Sequence, residues 1–90
     1  MLEFRWNAWN IQHIAEHGIE ASEAEYVADY ARRPYPKMIG DGKWVVIGQT
    51  AIGRYLQVIY VDDDDADTVY VIHARALTDA EKRRLRRRTK

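Results

Sequence analysis

Apolar and charged residues alternate from Leu2 to Trp6, the two-residue period of a half-buried strand. Past Asn7 the period changes. Trp9, Ile11 or His13, Ile14 and His17 recur at helical spacing, with Asn7 suited to the N-cap and Gly18 to the C-terminal stop. A second helix is predicted after Ser22, which has capping-box spacing to Glu25, and Tyr26, Val27 and Tyr30 would form its buried stripe. Pro34 and Pro36 end helical structure, and Gly40-Asp41-Gly42 makes a turn. Residues 43–49 and 54–61 read as strands joined by a hairpin at 50–53. A charged loop at 62–67 leads into a further strand at 68–75. Thr78 then caps a last helix, with Glu81 completing a second capping box. This order predicts an α+β domain: a small antiparallel sheet of three to four strands, two N-terminal helices and one C-terminal helix, the helices on one face.

Ninety residues make a single domain, 1–90, with one modest core. The absence of cysteine excludes disulfides, a thiolate nucleophile and Cys-type zinc sites. No apolar run approaches the roughly 20 residues of a membrane span. The first residues lack the basic-then-apolar layout of a signal peptide. The expectation is a soluble, cytoplasmic protein without membrane contact.

Charge changes the picture most at the end of the chain. Formal net charge is zero, yet residues 1–81 sum to −7 and residues 82–90 to +7. Such asymmetry points to a nucleic-acid or acidic-partner surface. Lys82, Arg83, Arg84, Arg86, Arg87 and Arg88 are the candidate nucleic-acid-binding residues, on a basic helix or a solvated tail.

The strand before that helix carries the candidate chemistry. Strict alternation puts Val69, Val71, His73 and Arg75 on one face and Tyr70, Ile72 and Ala74 on the other, the second set forming core. Histidine exchanges a proton near neutral pH and arginine grips phosphate oxygens. Together they suit RNA cleavage by the neighbouring 2′-hydroxyl, which needs a base, an acid and stabilisation of developing charge, but no metal or other cofactor. The structural alternative is that His73 bonds a backbone carbonyl and Arg75 pairs with an aspartate. Arg54, just after a glycine turn, either reaches the same rim or is a hairpin-end surface charge.

Three other patterns weigh less. His13-x-x-Glu16-His17 matches an inverted zinc-peptidase motif, but Gly18 stops the helix at once and the chain is too small. Packing for His13 and a helix C-terminal cap for His17 are preferred, with His17 in a nucleic-acid site as a further option. Asp63, Asp65 and Asp67 open like a calcium loop, but Thr68 and Ala74 break the pattern. Trp6, Trp9, Trp44, Tyr55 and Tyr60 are potential base-stacking rings, Tyr55 and Tyr60 foremost, although most are needed for the core.

Phe4-x-Trp6, Asn10 and His17-Gly18-Ile19, then Val46-Ile47-Gly48-Gln49-Thr50 with Gly53-Arg54-Tyr55-Leu56 and Val58-x-Tyr60, then Ile72-His73-Ala74-Arg75 with Thr78 and Glu81, together resemble the BrnT-like toxins across nearly the whole chain. The resemblance implies a RelE-like fold. It also implies a ribonuclease toxin of a bacterial type II toxin–antitoxin pair, with RNA as substrate and a BrnA-like antitoxin as partner, as a homodimer or toxin–antitoxin heterotetramer. By position, Arg54, Arg75 and Glu81 fall on family-typical polar sites and join His73 as candidate catalytic residues. His73 stands where a small hydroxyl residue is frequent, His13 where lysine or asparagine is common, and Ala76 where many members carry a second arginine. The last helix lacks the tyrosine usual there. The alternative to an endoribonuclease is a non-catalytic module that binds nucleic acid or a partner protein.

Overall fold

The computed structural model describes residues 2–63 and 67–88, the Arg88 side chain excepted. The elements run β1 (Glu3–Arg5), α1 (Ala8–Ala15), α2 (Ala21–Asp29), β2 (Lys37–Met38), β3 (Lys43–Gln49), β4 (Tyr55–Asp62), β5 (Thr68–Ala76) and α3 (Asp79–Arg88). The α+β class is as expected, but the sheet has five strands in the order β1-β5-β4-β3-β2. It is mixed, because β1 pairs with β5 in parallel. The two-residue β2, against Val45 and Trp44, is an edge that the sequence pattern does not announce.

Local chemistry accounts for the helix ends. Asn7 Oδ1 accepts the Asn10 backbone N–H and Asn10 Oδ1 accepts that of Asn7, a reciprocal cap that starts α1. Gly18 takes φ +73°, which lets the Ile19 N–H reach back to the Ile14 carbonyl and seal the end. The start of α2 differs from the expected Ser22–Glu25 box. Glu20 is the N-cap, and Glu23 accepts its backbone N–H. Glu25 instead accepts the indole N–H of Trp6 at 2.7 Å.

One face of the sheet buries Val46, Leu56, Val58, Tyr60, Val69, Val71 and Ala74 against Ile14, Ile19, Ala24, Val27 and Ala28. The buried stripe of α2 is thus Ala24, Val27 and Ala28, while Tyr26 and Tyr30 are exposed. The helix packs directly on the sheet there: a Cβ on Gly48 would sit 3.5 Å from Val27, an ordinary van der Waals contact. In α1 only Asn10 and Ile14 are buried. Trp9 and Ile11, read as core, are exposed.

The alternation of β5 is broken. Ile59 pairs with His73 and Tyr60 with Val71, so Ile72 is the extra residue of a bulge. Before it Val69 and Val71 face the core; after it Ala74 does. The expected core set Tyr70, Ile72 and Ala74 is therefore corrected to Val69, Val71 and Ala74. Tyr70, His73 and Arg75 pair with Val61, Ile59 and Gln57 on the opposite face. The helices are not all on one face either. Leu85 of α3 lines a cavity with Ile47, whose strand neighbours Val46 and Gly48 face α2.

Candidate functional site

Parallel pairing of β1 with β5 ends at Arg5 and Tyr70. Beyond it α1 runs beside β5 in the same direction. Trp9 stacks near Tyr70, and Asn10 Nδ2 donates to the carbonyls of Arg5 and Val71. This buried amide closes the strand edge that β1 leaves open. It also brings one face of α1 alongside His73. The ring centroids of His17 and His73 are 5.1 Å apart, those of His13 and His73 6.1 Å, and those of His13 and His17 6.3 Å. Trp9 stacks on His13 at 4.9 Å and fixes its plane.

Among the described residues none of these imidazoles pairs with a carboxylate. Burial holds the pKa of His73 below the ordinary histidine value, and the nearby His17, His13 and Arg75 lower it further. His73 is therefore neutral at pH 7 and able to accept a proton. No group of three or more His, Asp or Glu among the described residues is arranged to hold a metal ion.

Both candidate arginines are held by a glutamate at the third position of a helix. Arg75 meets Glu81 through two hydrogen bonds of 2.8 and 2.7 Å. The Glu81 carboxylate also accepts the Thr78 backbone N–H, and Thr78 Oγ1 accepts that of Glu81. Arg75 and this cap hold the Glu81 carboxyl down at about 2. Glu81 is therefore a fixed anion that orients Arg75, not a proton donor at neutral pH. Arg54 likewise donates to Glu23 at 3.2 Å and to the Gly18 carbonyl at 3.1 Å. Gly18 follows His17, which places Arg54 at the end of α1, while His17, His73 and Arg75 are the groups that lie together.

The expected cap at Thr78 launches α3 from the strand that bears His73 and Arg75. Lys82 lies 3.8 Å from Asp79, and Arg83, Arg84, Arg86 and Arg87 are exposed. The side chain of Arg88 lies outside the described residues, as do residues 89–90 and Asp65 of the calcium-like pattern. Asp63, from that pattern, pairs with Arg5. Tyr60 is buried in the core and cannot stack a base, whereas Tyr55 is half-exposed. Sequence reasoning offered His13 mainly as packing and His17 mainly as a cap. Their four-residue spacing signals a shared helix face, but not that His73 completes it.

Compared with known protein families and with curated proteins, the chain matches none. No helix among the described residues is long and apolar enough to cross a membrane.

Proposed function

We propose that this protein is a small ribonuclease of RelE-like fold, acting as the toxin of a toxin–antitoxin pair and cleaving RNA through its own 2′-hydroxyl. The observation that carries the reading is the carboxylate-free trio of His13, His17 and His73 beside Arg75. Neutral His73 takes the proton from the 2′-oxygen, which attacks phosphorus. The bond from phosphorus to the 5′-oxygen breaks, and a neighbouring imidazole of the trio returns a proton to that leaving oxygen. Arg75 and Arg54, in fixed orientations, offset the charge that develops on the phosphoryl oxygens. The products are a 2′,3′-cyclic phosphate and a 5′-hydroxyl. The basic face of α3 holds the RNA backbone.

The test is end-group analysis of single-stranded RNA incubated with purified protein in EDTA. Cyclic phosphate and 5′-hydroxyl ends are expected; intact RNA, or 5′-phosphate ends, would contradict the mechanism. A second reading, a non-catalytic toxin-like module that binds nucleic acid or an antitoxin of BrnA type, draws support from the pairing of both arginines with glutamates. It predicts salt-sensitive binding without turnover.

A further inference from the structure

Away from the histidines, the sheet face opposite the core opens into a cleft of about 570 Å³ between the segment at 32–37 and α3. Arg32, Arg33, Lys37 and Arg86 line it, together with Tyr35 and Tyr55, and no acidic side chain does. All four cations are exposed, and both rings are half-exposed. Among the described residues Arg32 and Arg33 have no ion-pair partner, unlike Arg54 and Arg75. Lys37 sits over the Tyr35 ring at 5.7 Å.

The cleft does not end there. An adjoining hollow shares Arg32 and Tyr55 and adds Tyr30, a residue 63% exposed. Another shares Tyr35 and Leu85 and reaches Glu81, the partner of Arg75. In the sheet Ile47 pairs with Gln57 and Gln57 with Arg75. The cleft is thus two strand spacings, about 10 Å, from the strand that bears His73.

We propose that this cleft is a subsite for single-stranded nucleic acid, with a base stacked on Tyr55 or Tyr35 and its flanking phosphates on Arg32, Arg33 and Arg86. Cations interleaved with exposed aromatic rings are what a sequence-tolerant single-strand groove requires, since every base offers a π-face and every link a charge. An acidic protein segment would satisfy the cations but would leave the rings without a stacking partner. The proposal rests on the nucleic-acid part of the reading above and is independent of catalysis.

The experiment measures binding of a short fluorescein-labelled oligothymidylate, which lacks the 2′-hydroxyl and so cannot be cleaved by the proposed route. Tyr55→Ala is expected to weaken binding by on the order of tenfold. Arg32→Gln with Arg33→Gln, both at exposed positions that leave folding intact, is expected to reduce the salt slope by about 1.4, or roughly 0.7 for each phosphate contact. Lys43→Gln, at the far end of β3, serves as the control and leaves both unchanged. Unchanged affinity and slope in the double arginine variant overturn the subsite. So does equal displacement of the oligonucleotide by a polyglutamate peptide at matched charge, which assigns the cleft to an acidic protein. Loss of binding in the cleft variants, with no RNA cleavage by the unmodified protein, keeps the subsite and removes the catalytic reading.

Discussion

His73 is placed by an irregularity. A strictly alternating β5 would have put it in line with Val69 and Val71, and the bulge at Ile72 turns it away from the core. Its depressed pKa owes most to burial and next to His17, so His17→Ala is expected to raise it; an NMR titration of the ring protons reads this directly. Inorganic phosphate should raise it as well, by favouring the charged imidazole. The sequence made His73 and Arg75 legible as a polar pair at a strand end. It did not make the trio legible, because contact between α1 and β5 depends on a parallel pairing across more than 60 positions.

At the scale of elements, two glutamates each cap a helix and hold an arginine. Glu81→Gln keeps an acceptor for the Thr78 N–H but removes the negative charge that fixes Arg75. Binding of uncleavable oligonucleotide should tighten while the cleavage rate at saturation falls; parallel changes in both would contradict the positioning role. The α3 box was legible because Thr78 and Glu81 stand directly before the basic helix. The α2 box was not, because Glu20 is a poor N-cap by residue type and Ser22 a better one. Asn10 ties α1 to the sheet through the carbonyls of Arg5 and Val71. Asn10→Ala leaves the buried Val71 carbonyl and the part-buried Arg5 carbonyl without this donor and is expected to cost about 1–3 kcal/mol in urea unfolding.

For the molecule as a whole, stability in the acidic range follows two shifted groups, His73 and Glu81. The folded pKa of His73 lies below 6.5, so the unfolded chain binds its proton first, and stability declines as pH falls through 6.5. Glu81, held at about 2 against an ordinary 4.5, adds stability above 4.5 that is lost as pH falls toward 2. Urea midpoints across a pH series should fall in these two stages, and His73→Ala should remove the first. The charge division has a counterpart in space. The basic helix lies across the sheet face that carries Arg75, and the cleft cations Arg32, Arg33 and Lys37 extend that basic surface. Composition alone marked the helix; the contribution of 32–37 emerges only when the chain folds back against β3.

The most direct measurement is the rate at which purified protein cleaves single-stranded RNA in EDTA, compared with the His73→Ala variant at matched folding and RNA affinity. The account predicts a drop of roughly 10²–10⁴-fold, the contribution of one positioned proton-transfer group. Equal rates would contradict it.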